Sequence, residues 1–187
     1  MGYGHYVNIL SHLKSAGSAG VMQQGGYVAL STQGIAHQIV SSLMTYRIDN
    51  LGTVNDCKVV INHLIRKFSE PLTKEGLQQI YYSKNLTDQT SAIKEHLFPV
   101  NEVMNHFLTM SLTISKVDLA SLVHDYLVNA LVIVYVTKNE DNKLNKCGYQ
   151  KSMPEDYYNP KSPLYRDIWA RYKSSDIYSN IEIEVAA

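Results

Sequence analysis

Cysteine is scarce in this chain: two residues, Cys57 and Cys147, in a length of 187. That excludes a disulfide framework, and without any CxxC pair the common zinc arrangements have no ligands. An excess of charge is missing as well. Seventeen Lys and Arg balance 17 Asp and Glu, which leaves no global positive field of the kind a polyanion-coating protein needs. Long apolar runs are absent too. The longest, Leu127 to Val136, falls well short of the ~20 residues that span a bilayer. The opening Met-Gly-Tyr-Gly-His-Tyr has no basic segment followed by an apolar one, and Tyr6 stands where a myristoylation site carries Ser or Thr. A soluble, cytoplasmic protein is the expectation. Neither G-x-x-x-x-G-K-[ST] nor G-x-G-x-x-G nor G-x-S-x-G occurs, so the common nucleotide loops and the nucleophile elbow find no support.

The residues present describe a globular chain. Hydrophobic residues make up 45% and charged ones 18%, the reverse of a disordered composition. The length suits one domain burying roughly two-thirds of its unfolded surface. Between Lys14 and Arg47 no Asp, Glu, Lys or Arg occurs, and five of the ten glycines lie there. A short helix over Tyr6–Lys14 and a Gly/Ser-rich link together account for residues 1–26, with a single α-rich domain over 27–187. Ile35, Ile39, Leu43 and Met44 recur at helical spacing behind Ser31 or Thr32 as cap. An uncharged helix surface over 27–46 is expected in the core or against a second copy.

Further helices are expected from Asn55 or Asp56 to Phe68, with Val59, Val60, Leu64 and Ile65 inward and Pro71 beyond the end. Others begin at Thr73 (Leu77, Ile80, Tyr81) and after Thr87 up to Pro99, and then span Val100–Met110. Ser115 and Asp118 set a cap for a helix through Leu127. Leu131–Val136 is short and β-branched, a buried strand. Thr137 and Glu140 form a capping box for a helix ending at Gly148, and another helix is expected over Pro163–Lys173. Ile181–Val185 alternates and offers the strand a partner. The fold class is α+β, predominantly α-helical, with a two- or three-stranded sheet in the C-terminal half.

The string Glu95-His96-Leu97-Phe98-Pro99, followed later by a strand and then a helix, resembles the HNH (His-Me finger) nucleases. That resemblance implies a phosphodiesterase in which His96 is the general base that activates water. Glu95 and one of Asp141 or Asn145 would hold Mg²⁺ or Mn²⁺, these last two standing on a helix that carries no histidine. A second carboxylate–imidazole pair, Glu102 and His106, shares one helix face.

The C-terminal third mixes eight basic residues between Lys138 and Lys173 with Tyr149, Tyr157, Tyr158, Tyr165, Tyr172 and Trp169. Cations contact phosphates and aromatic faces stack on bases; the same mixture makes hot spots of protein interfaces. On the nucleic-acid reading, Lys143, Lys146, Arg166 and Arg171 contact DNA phosphates and Trp169 supplies an aromatic face. On the alternative, a Tyr/Trp/Arg surface docks on a protein partner. Helical packing of Leu164, Ile168, Trp169 and Tyr172 as core is the third.

Overall fold

The computed structural model describes residues 30–182, so the helix and link expected over 1–26 lie outside the described residues. Helix α1 (Thr32–Arg47) starts where Ser31 Oγ accepts from Gly34 N. Its Ile35, Ala36, Ile39, Val40 and Leu43 are buried in a helical core with α2 (Val54–Lys74) and α4 (Lys116–Ala130). The apolar face of the uncharged segment is therefore covered within the chain. Its first turn is tied down: Thr32 Oγ1 donates to Glu75 Oε2 (2.6 Å) and lies 3.1 Å from His124 Nε2. His124 Nδ1 in turn meets Asp125 Oδ1 at 3.1 Å.

Helix α2 departs from expectation at both ends. Thr53, not Asn55 or Asp56, is the cap, closing a capping box with Asp56. The helix also runs through Pro71 to Lys74, because Phe68 and Leu72 on its inner face are fully buried and hold the last turn in place. Leu64 and Ile65 are buried as expected and Val60 packs against the core, but Cys57 and Ile61 point inward while Val59 is 54% exposed.

Two segments expected as helix are strands. β1 (Ile80–Ser83) and β2 (Ile93–His96) join β3 (Ile133–Val136) and β4 (Ile181–Glu182) in a sheet of order β2–β3–β1–β4. β1 and β3 run parallel, Ile80 opposite Ile133; β2 lies antiparallel to β3 with Glu95 opposite Val134, and β4 antiparallel to β1. Four strands thus replace the expected two or three, and two come from before residue 100. The Ile-Tyr-Tyr run of β1 suits a pleated, half-buried surface better than a helix. Between β2 and β3 lie α3 (Val100–Thr109) and α4, the latter capped by Ser115 as expected. α5 (Lys138–Lys146) follows β3 and carries the expected Thr137–Glu140 capping box. Of the helix expected over Pro163–Lys173 only the end is helical: short α6 (Glu155–Tyr158) and α7 (Ala170–Ser174) are separated by turns. Predominantly helical α+β is the observed class.

A second core lies on the sheet face that α5 and α7 cover: Val132, Val134, Val136, Leu144, Tyr172, Ile177 and Ile181. Glu140, 3% exposed, anchors it. Its Oε2 accepts from Thr137 N and Oγ1, both at 2.9 Å. Its Oε1 accepts from Ser83 Oγ (2.8 Å), Asn85 Nδ2 (3.0 Å) and Asn180 Nδ2 (3.0 Å). One carboxylate therefore joins the start of α5, the end of β1 and the turn before β4. After α5, Gly148 at φ 79° reverses the chain in a conformation open to glycine. The turn carries Tyr149 back toward α7.

Candidate functional site

β2 is an edge strand, and a cleft of about 540 Å³ opens beside it. Five parts of the chain line it: Asn62 and Arg66 of α2, Lys94, Glu95 and His96 of β2, the start of α3, Gln150 and Lys151, and Arg171 of α7. Asn62 and Arg66 meet because they stand four apart on one helix face; Arg66 Nε donates to Asn62 Oδ1 at 3.2 Å. α3 begins at Pro99 with no side-chain cap, and Glu102 N in its first turn donates to Pro99 O at 2.9 Å.

Charge is arranged unevenly around this cleft. Glu95 is its sole acidic side chain among the lining residues, and Arg171 Nη2 donates to Glu95 Oε2 at 3.2 Å. Arg66, Lys94 and Lys151 form no ion pair among the described residues. The cleft therefore carries three uncompensated cations. His96 lies among them with Nε2 buried and without a hydrogen-bond partner. Burial, with Lys94, Arg66 and Arg171 close by, lowers the His96 imidazole to about 4, so it is neutral at neutral pH. Burial pushes the Glu95 carboxyl up against the pull of Arg171, and Asp141 adds to the rise.

The low His96 value has a measurable consequence. The folded chain binds that proton more weakly than the unfolded chain, whose imidazole titrates near 6.5. The unfolded state consequently holds more protons between these values, and stability falls as pH drops from about 6.5 toward 4. Thermal melts across this window should show the loss in the wild type and a shallower slope in His96→Gln; equal slopes would remove His96 as its source.

The residues expected from the sequence are only partly brought together. Glu95 and His96 sit on a strand, not near a helix end. Asp141, 7% exposed, is on α5 within electrostatic reach of Glu95. It accepts from Lys138 Nζ (2.8 Å) and from Asn145 Nδ2 (3.3 Å). Glu95 is thus held by Arg171, and Asp141 by Lys138 and Asn145. Among the described residues no three His, Cys, Asp or Glu form a metal-holding group.

Glu102 and His106 go elsewhere. His106 stacks on Tyr126 at 4.2 Å, while Tyr158, its hydroxyl raised first by burial, meets Glu102.

Lys143 and Lys146 are exposed on α5, and Arg166 is exposed in the turn before α7. None of the three lines the cleft. Arg171 is not a surface cation: it is 1% exposed. It donates through Nε to Leu97 O (3.0 Å), through Nη1 to Tyr149 O (2.9 Å) and through Nη2 to His96 O. Its role is to hold the end of β2 against the C-terminal segment. Trp169 is half-buried, in edge contact with Tyr81, Tyr172 and Tyr178, so its ring packs inside an aromatic cluster.

Sequence reasoning missed Arg66 and Lys94, and placed Lys151 only in a general basic region. The three come from distant segments with no shared spacing; the one local signal is Asn62 with Arg66. No family model, no curated protein and no solved structure matches this chain. Among the described residues no helix is long and apolar enough to cross a membrane.

Proposed function

We propose that this is a cytoplasmic nucleic-acid-binding protein that grips phosphate in the cleft beside β2, with His96 as the general base of a phosphodiester hydrolysis. One observation carries the reading. Three cations without carboxylate partners line one cleft with a neutral imidazole whose Nε2 is buried and unpartnered, and two of them, Arg66 and Lys94, act on it electrostatically. Burying such a nitrogen costs about 1–3 kcal/mol, a cost that a hydrogen-bonding ligand offsets. The cations supply the phosphate-neutralising charge that dominates nucleic-acid affinity. A general base must also be unprotonated when it acts, which burial of His96, helped by the nearby cations, secures.

Binding of a single-stranded oligonucleotide should weaken with salt. Three contacts give a log K against log salt slope of about −2 for single strands. Arg66→Ala and Lys151→Ala should each weaken binding and reduce that slope. Absence of binding at low salt would sink the proposal. The same protein incubated with plasmid and single-stranded DNA, in Mg²⁺, Mn²⁺ or EDTA, reads whether hydrolysis accompanies binding. Cutting that His96→Ala abolishes makes His96 the base; cutting that survives the substitution removes it from the chemistry.

A further inference from the structure

We infer that the cleft beside β2 recognises a terminal phosphate, a phosphomonoester at the end of a nucleic-acid strand, in preference to the phosphodiesters along it. The inference rests on the nucleic-acid reading above and specifies the part of the strand that is held.

The geometry points there because the cations converge on one place. Arg66, Lys94 and Lys151 reach a single cleft from α2, β2 and the segment after Gly148. Lys143, Lys146 and Arg166, the basic residues that could have continued it as a track along a backbone, do not line it. Each internal phosphate carries one negative charge, whereas a phosphomonoester carries about −1.5 to −2 at pH 7. A site with three cations and no free carboxylate matches the higher charge. His96, whose Nε2 is buried without a hydrogen-bond partner, lines the same cleft. Asn62, Asn101 and Gln150 place amides around the same space, suited to the sugar and base behind the phosphate. A volume of about 540 Å³ lies in the range that encloses a molecule of nucleotide size.

Two oligonucleotides of one sequence, one bearing a 5′-phosphate and the other a 5′-hydroxyl, separate the possibilities by fluorescence anisotropy. A fluorophore at the same interior position of each strand keeps the reporter away from the end. The phosphorylated strand should bind about tenfold more tightly, a difference of about 1.4 kcal/mol. Inorganic phosphate should compete with it, and Arg66→Ala, Lys94→Ala or Lys151→Ala should erase the difference between strands. All three side chains are exposed, so the variants retain the fold. The His96 ring resonances should shift with the phosphorylated strand and move less with the other. Equal affinity for the two strands, both weakened by Arg66→Ala, overturns the end preference and leaves nucleic-acid binding standing. Failure of both strands to bind overturns both. A preference that persists in all three variants places the phosphate elsewhere and overturns the assignment of this cleft.

Discussion

Arg171→Met should lower the melting temperature by roughly 6–20 °C. The guanidinium is 1% exposed and answers four acceptors: the carbonyls of Leu97, His96 and Tyr149 and the carboxylate of Glu95. Methionine fills much of the volume but leaves three carbonyls and a largely buried carboxylate without their donor. Breaking one partner out of a buried ionic pair costs about 3–5 kcal/mol, and a chain of this size melts about 2–4 °C lower per kcal/mol. Lysine should fail to rescue, because a single ammonium cannot reproduce the planar fork that meets acceptors on two segments, residues 95–97 and Tyr149. Glu95→Gln in the Arg171→Met background should recover part of the loss by removing the stranded charge. Circular-dichroism melts of the four proteins decide this. A melt of Arg171→Met within about 2 °C of wild type would show that the clasp contributes nothing, by the same scaling.

Glu140→Gln should be nearly as damaging as Glu140→Ala, each costing about 2–4 kcal/mol, on the scale of charge-assisted bonds lost and buried donors orphaned. Near-equality is the informative part. Both carboxylate oxygens receive only donors: Thr137 N and Oγ1 at one, Ser83 Oγ, Asn85 Nδ2 and Asn180 Nδ2 at the other. An amide must therefore turn its NH₂ against one donor set or the other. Burial alone would raise this carboxyl, but the bonds from Thr137, Ser83 and Asn85 outweigh it and hold it below the usual range. A depressed folded value means that the stability it contributes is present above the unfolded value of 4.5 and is lost as pH falls through the folded one. Glu140→Gln should flatten that acid limb. Chemical denaturation at neutral pH, repeated toward pH 3, measures both. A glutamine variant as stable as wild type would show that the charge is dispensable.

Much of the helical framework was legible because its signals are local. The Ser31 cap, the Ser115–Asp118 pair and the Thr137–Glu140 box each lie within four residues, and all three close as read. The strand at Ile133–Val136 announced itself by β-branching. β1 and β2 did not, since each has four residues and each depends on a partner far along the chain. At that length, Leu77, Ile80 and Tyr81 fit a helical period by chance. Charge alone places Arg171 among the surface cations, whereas its acceptors include main-chain carbonyls that no sequence pattern displays. The Glu95–His96 pair is visible in the sequence, while the cations that line the cleft beside it are joined only by the fold.

The strand order carries a consequence for biosynthesis. β3 lies between β2 and β1, yet it is made after both, with two helices translated in between. During synthesis Ile80–Ser83 and Ile93–His96 therefore emerge as strands with no mate, and at about 5–20 residues per second they wait several seconds for Ile133–Val136. Arg171 and Ile181 arrive later still to close the two ends of the sheet. A ribosome stalled between residues 100 and 130 would hold a nascent chain with two unpaired edges, a template for joining other chains. The window in which this protein is most prone to aggregate is thus set by its gene order of strands and ends when the middle strand is made.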